Sequence, residues 1–375
     1  MPYGLYIHLP FCRSKCPYCN FKSITGREDI IDSYTDAAAF EIKHRSIGIF
    51  SGAPQTVYIG GGTPSLVPAH AIKKIIQNTS IDSICEFTVE ANPESITGQW
   101  LDGILEAGAN RISIGVQSLD DGILRNLGRL HNTKQAVSAV ESSRKAGFTG
   151  ISVDLMFGVP GQTMSLWKRT LEGILELQPE HISGYSLSVE EDTIFYRMKH
   201  DEGLDIPKPG KTADMYGVMN EMLENEGLLR YEISNFARPG HECKHNMRYW
   251  NFTPYLGIGS SAHTFDGNIR SWNEPDAVKY IKNCFGRNES ITGNEVINTQ
   301  KRAIETVMLS LRTVNGLDIL EIEGLSSETL KALTNKLATF TESGFLITNN
   351  DGRVVLTDKG IVLADEIITD VVSAM

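Results

Sequence analysis

The sequence predicts an α/β fold, a partial (βα)6 barrel followed by a C-terminal winged-helix-like α+β domain. Three observations predict it. Short β-rich runs alternate with longer helical patterns from the N-terminus to about residue 190, as repeated βα units around a parallel sheet require. The repeats number six, too few for a closed eight-fold barrel. From about Asn298 the alternation gives way to helix, short helix, helix, a hairpin turning at Asp351-Gly352, and a last helix from Asp358.

In chain order the strands are predicted at 5–8, 57–60, 87–91, 111–116, 151–156 and 181–187. Helices fall between them near 30–47, 68–78, 98–108, 120–127, 133–146 and 163–177, most with Ser, Thr, Asp or Asn near the start to take up free N–H groups. These elements make a first domain over 1–200. Residues 201–296 form a mixed extension, running through Tyr231-Glu232-Ile233-Ser234-Asn235-Phe236 to Tyr255-Leu256-Gly257-Ile258-Gly259-Ser260, expected to cover the open side of the barrel. The winged-helix-like domain occupies 297–375. Its second long helix, near 328–343, carries only Lys331 and Lys336 as cations, so it is not expected to read DNA.

Composition narrows the function classes. The chain has 375 residues, 41% of them hydrophobic, and a net charge of −11 with no block of consecutive Lys or Arg. Nucleic acid is therefore not an expected partner; peripheral membrane contact stays open. No apolar run approaches the roughly 18 residues of a membrane span, and Met1-Pro2-Tyr3 does not begin a signal peptide, so a cytoplasmic location is expected.

Six cysteines are unevenly placed: Cys12, Cys16 and Cys19 crowd together, while Cys85, Cys243 and Cys284 are scattered. In a reducing compartment such crowding points to metal. Cys85 and Cys284 read as small buried thiols, and Cys243 lies beside a candidate binding motif. Cys12-x3-Cys16-x2-Cys19 offers three thiolates on one loop, which suits a 4Fe-4S cubane with one iron left open. Zinc would need a fourth ligand, and the nearest, His8, lies inside the first strand. In barrels of this kind the loops after the strands gather at one face. The cysteines follow strand one, Gly60-Gly61-Gly62-Thr63-Pro64 strand two, Glu90 and Asn92 end strand three, Gln117 ends strand four, and Asp154 lies in strand five.

Leu5-Tyr6-Ile7-His8-Leu9-Pro10-Phe11-Cys12 with Pro17-Tyr18-Cys19-Asn20-Phe21 resembles the radical S-adenosylmethionine (SAM) family of oxygen-independent coproporphyrinogen III oxidase and the HemW-type heme chaperones. The likeness continues through Glu90-Ala91-Asn92-Pro93, Gly115-Val116-Gln117-Ser118, Gly128-Arg129-Leu130-His131 and Asp154-Leu155-Met156-Phe157-Gly158-Val159-Pro160-Gly161. It implies a 4Fe-4S cluster on Cys12, Cys16 and Cys19, and SAM held by Tyr6, Tyr18, Gly61, Gly62, Thr63, Glu90, Gln117, Arg129 and Asp154. The glycines would let backbone approach the cofactor, and Glu90 would accept two ribose hydroxyls. Glu90 in a salt bridge, Arg129 as a surface cation and a plain tight turn at the glycines are the bland alternatives.

Where the oxidase carries an extra cysteine two residues beyond the triad, this chain has Phe21, and only eleven residues precede Cys12. His245-Asn246-Met247-Arg248-Tyr249-Trp250 matches the His-Asn-x-x-Tyr-Trp motif that the family associates with heme. His245 would then ligate iron, with His241 and Cys243 as alternates, and Tyr249 and Trp250 would face the porphyrin. Two functions follow from the resemblance: a chaperone that takes heme as cargo and passes it to acceptor hemoproteins, or an oxidase converting porphyrinogen propionates to vinyls. Both leave room for an electron donor, and whether the chain is an enzyme at all stays open.

Overall fold

The barrel strands alternate between mainly apolar side chains that face the helices and mainly polar ones that face inward. On β1 (Gly4–Leu9) Leu5, Ile7 and Leu9 are buried under helices, and on β2 (Thr56–Gly61) Val57 and Ile59 are. The same parity runs through β3 (Glu86–Ala91), β4 (Arg111–Gln117), β5 (Gly150–Phe157) and β6 (His181–Ser186). Period-two alternation places one set on each face of a sheet, so the apolar set makes the outer core and the polar set a lumen. The structure, a computed structural model, describes residues 2–79, 85–201, 203–286 and 290–375.

The outer layer comprises α1 (Ile31–Arg45), α2 (Ala69–Ile76), α3 (Gly98–Glu106), α4 (Asp121–Asn126), α5 (Thr133–Ala146) and α6 (Met164–Glu176). Their starts are those the sequence signals. Thr97, Asp120, Asn132 and Thr163 each accept a backbone N–H, and Asn132 closes a reciprocal capping box with Gln135. The strands β1 to β6 pair in parallel in sequence order.

The extension does more than cover the barrel. After α7 (Ile194–Asp201) and α8 (Pro209–Asn225) come strands β7 (Leu229–Arg230) and β8 (Asn235–Ala237); β8 adds antiparallel to β6, and β7 antiparallel to β8. Beyond α9 (Lys244–Trp250), strand β9 (Tyr255–Ile258) pairs in parallel with β1 at the opposite edge. It is followed by β10 (His263–Phe265), β11 (Ile269–Asn273), α10 (Ala277–Phe285) and β12 (Ile291–Val296). One twelve-stranded sheet results, ordered β12-β11-β10-β9-β1-β2-β3-β4-β5-β6-β8-β7. An open six-stranded sheet exposes unpaired N–H and C=O groups on both edges, and the extension satisfies both.

Glu41 of α1 ties this addition down. Its buried carboxylate accepts bonds from Arg45 (2.9 Å), the Gly259 N–H (3.0 Å), Asn273 (2.8 Å), Tyr280 (2.7 Å) and Ser290 (2.7 Å). A buried carboxylate so thoroughly bonded is a structural anchor. The last domain holds α11 (Thr299–Ser310), α12 (Ser327–Glu342), the hairpin β13 (Leu346–Thr348) and β14 (Val354–Leu356), then α13 (Asp358–Ile361) and α14 (Ala364–Val372). It is joined to the extension by backbone bonds from Ile233 to Arg312 (3.0 Å) and from Val314 to Tyr231 (3.2 Å). No helix among the described residues is long and apolar enough to cross a membrane.

Candidate functional site

A cavity of about 360 Å³ opens at the C-terminal ends of the barrel strands, lined by Cys12, Cys16, Cys19, Tyr18, Gly61, Gly62, Thr63, Glu90, Gln117, Arg129 and Asp154. Thus all three expected cluster ligands and eight of the nine expected cofactor residues share one space. Tyr6 is the exception: it is absent from the lining, and its hydroxyl pairs with His8 Nδ1 at 3.0 Å. The other His8 nitrogen meets the Lys22 carbonyl at 3.0 Å, so the histidine that zinc would require is fully engaged.

A chain of hydrogen bonds crosses the rim from loop to loop. Arg129 donates to Asn92 Oδ1 (2.7 Å) and to the Gly115 carbonyl (2.9 Å); Asn92 donates to Thr63 Oγ1 (3.1 Å), and Thr63 to Cys12 Sγ (3.6 Å). A second Arg129 nitrogen lies 3.8 Å from Cys16 Sγ. Arg129 is therefore inside the cavity wall, not on the surface, and its Nε is buried without a partner. A buried cation beside a thiol loop favours an anionic group there. Among the described residues no three His, Cys, Asp or Glu side chains converge as a single metal ion requires. A cubane does not ask for that, since its ligands bind separate irons. An all-thiol donor set, an adjacent guanidinium and an orphaned buried Nε together fit a 4Fe-4S cluster with a bound carboxylate.

The glycines are required by the chain itself. A Cβ on Gly61, whose φ is +118°, would stand 2.7 Å from the His8 ring, and one on Gly62 would stand 2.6 Å from the Phe11 carbonyl. The close approach is between the end of β2 and both β1 and the start of the cysteine loop. Gln117 adopts φ 65° at the end of β4, where the pairing with β5 shifts register. A long side chain in that region is backbone strain, which concentrates at functional sites.

Among the described residues Glu90 is in no salt bridge. Its carboxylate accepts from the Tyr58 hydroxyl (2.9 Å) and the Gly61 N–H (3.2 Å). Burial, then the neighbouring Asp154, pushes the Glu90 carboxyl up to about 7, outweighing both donors. Asp154 accepts from Ser113 at 3.0 and 3.2 Å, and burial raises it as well. The lumen contains more than the rim residues the sequence reading singled out: Tyr58, Arg111, Ser113, His181, Ser183 and Tyr185 also line the cavity. The polar half of each strand's alternation was the signal for them. Strands of a barrel with an apolar centre read as continuous hydrophobic runs, and these do not.

The His245 motif is arranged otherwise than expected. His245 is 1% exposed, its Nδ1 bonded to Thr56 (2.9 Å) and its Nε2 to the Tyr249 hydroxyl (2.9 Å). Burial lowers its pKa to about 3, so the ring is neutral and both nitrogens are in use. In this conformation it presents no lone pair to heme iron. The ring lies 5.3 Å from that of Tyr58, and Tyr249 packs edge-on against Tyr255 at 4.7 Å. Cys243 is buried against Glu86 (3.6 Å), and Glu86 also accepts the Lys244 and His245 N–H groups at 2.9 Å each. Only Asn246 of the motif reaches the cavity. Trp250 is partly exposed. His241 lines a separate small pocket with Cys85, whose thiol is exposed because it precedes β3 at the sheet's open end; the expectation of burial fails for Cys85 and holds for Cys284.

Residues 6–174 match the family described as radical SAM superfamily, and residues 297–363 the HemN C-terminal domain. The chain is 34% identical to heme chaperone HemW of Bacillus subtilis (strain 168), over 96% of this chain and 97% of the relative. It is 33% identical to heme chaperone HemW of Lactococcus lactis subsp. lactis (strain IL1403), over 98% and 96%. The structure of coproporphyrinogen III oxidase (HemN) from Escherichia coli, a radical SAM enzyme, superposes with a TM-score of 0.85 at 23% identity, covering 100% of this chain and 91% of that one. At that identity the likeness speaks for the fold alone.

Proposed function

We propose, because this chain belongs to the heme chaperone HemW family of radical SAM proteins, that it binds heme as cargo and passes it to acceptor hemoproteins in the cytoplasm. The observation that carries the cofactor side is the convergence of Cys12, Cys16 and Cys19 with Thr63, Glu90, Gln117, Arg129 and Asp154 on one cavity. Cys12, Cys16 and Cys19 would hold a 4Fe-4S cluster, and the residues beside them SAM. When bound, that pair supplies one-electron reductive cleavage of a sulfonium.

The protein's own groups bind, orient and exclude water. Arg129 holds the loops after β3 and β4 against the cysteine loop and offers charge to a carboxylate. Glu90, fixed by Tyr58 and Gly61, can accept ribose hydroxyls on its remaining lone pairs. Phe21 stands where the oxidase carries its further thiol, which favours the chaperone over porphyrinogen decarboxylation.

The test is anaerobic reconstitution with iron and sulfide, followed by separate heme titration and coproporphyrinogen III turnover assays. Stoichiometric heme binding without protoporphyrinogen formation is expected. Steady protoporphyrinogen production would move the protein to the oxidase class.

A further inference from the structure

The motif that suggested heme binding is closed, and the opposite end of the same barrel is open. Phe21 is 65% exposed and Tyr185 43% exposed, yet both line the cavity, together with Lys15. Two exposed aromatic rings on the wall of one cavity offer flat apolar surface to a ligand. The loop that carries Phe21 is unusual for the chain: residues 11–27 contain Arg13, Lys15, Lys22 and Arg27 and no acid, in a protein of net charge −11, and the acids of the cavity, Glu90, Asp154 and Glu190, come from other elements. Arg27 is taken up by Asp29 at 2.9 Å, while Arg13, Lys15 and Lys22 form no ion pair among the described residues.

Heme is a flat apolar macrocycle with two carboxylates on one edge. Its faces want aromatic surface, and its edge wants cations that are not already paired. The rim offers both, whereas at α9 the groups that could ligate iron are already engaged: His245, Cys243 and Glu86 are bonded to one another or to Thr56 and Tyr249. Resting on the reading that this chain carries heme, we infer that the macrocycle docks across the cluster-side mouth of the barrel, against Phe21 and Tyr185. Its propionates face the Lys15 and Lys22 segment. Cargo and cofactor cavity then share one entrance, so an occupant of the mouth closes the cavity from water.

Metal-free protoporphyrin IX is the decisive probe, since it has the same faces and carboxylates but no iron to ligate. Full-length reconstituted protein is titrated with protoporphyrin IX, heme and heme dimethyl ester, followed by porphyrin fluorescence anisotropy or the Soret band. Wild-type protein binds heme and protoporphyrin IX; the Phe21→Ala, Tyr185→Ala double variant weakens both about tenfold or more, as loss of aromatic anchors does. Lys15→Glu with Lys22→Glu weakens heme by about tenfold and the dimethyl ester far less, because the ester has no charge to lose. These side chains are exposed, so the variants keep the wild-type thermal midpoint. If wild-type protein binds heme but the rim variants bind it unchanged, or if Trp250→Ala alone removes protoporphyrin IX binding, the inference is overturned and α9 regains the site. If wild-type protein binds no heme, the functional reading itself falls.

Discussion

At the rim of the barrel Phe21 is 65% exposed and three thiols line an open cavity, whereas at the floor His245 is 1% exposed with each ring nitrogen bonded. Both ends contain side chains that ligate iron and aromatic groups that suit a porphyrin. They differ in whether those groups have already spent their hydrogen bonds. At the floor Glu86 caps the start of α9 while Thr56 and Tyr249 hold His245, and the result is a plug. At the rim the cysteines have only long contacts, a state that a bound group completes; a buried guanidinium Nε without a partner occurs at both ends, on Arg129 and on Arg248, and so does not by itself tell them apart. A ligand-capable residue type is thus evidence of a site only where its partners leave it capacity.

The largest effect expected of this contrast is at the rim. Replacing Cys12, Cys16 and Cys19 together with Ala removes all cluster iron and the brown colour after reconstitution, measured by iron and sulfide content, while the cluster-free fold keeps its far-UV spectrum. A full complement of iron in that variant would end the assignment.

The floor should respond in stability instead. His245→Ala deletes a buried ring and strands Thr56 and Tyr249, costing about 2 to 4 kcal/mol in urea unfolding. Its effect on protoporphyrin IX affinity, measured on the folded variant, should be small. A variant as stable as wild type that has lost heme would invert the comparison.

Glu90 sharpens it through pH. Its folded pKa of about 7 lies above the ordinary carboxyl value of 4.5, so the folded state holds the proton more firmly and the carboxylate costs stability as pH rises. That cost is absent below pH 4.5, grows between 4.5 and 7, and reaches about 3 kcal/mol above. Glu90→Gln therefore raises the urea midpoint at pH 8 and leaves it nearly unchanged at pH 4.5. The same substitution weakens SAM binding by about 1 to 3 kcal/mol in calorimetry on cluster-loaded protein, the range for losing charged hydrogen bonds. Smallest of all is Phe21→Ala on stability, within about 0.5 kcal/mol in urea, because an exposed side chain has little packing to lose.

Much of this molecule could be read from the chain before its fold was known. The six strands and six helices of the barrel follow from hydrophobic periodicity and capping residues such as Thr97 and Asn132, which act within a few positions of themselves. The cysteine triad is equally local, since three thiols within eight residues cannot avoid sharing a loop. The tertiary structure alone decided what depends on distant partners. Strand β9 lies beside β1 although some 250 residues separate Gly4 from Tyr255, because the open edge of β1 needed hydrogen bonds and only chain closure could supply them. Tyr6 fell outside the cavity lining through its bond to His8, and Cys85 was left exposed by where β3 begins. His245 was sealed by Thr56, 189 positions away, and a residue's spare bonding capacity cannot be read from its own neighbourhood when the groups that consume it arrive from elsewhere in the chain.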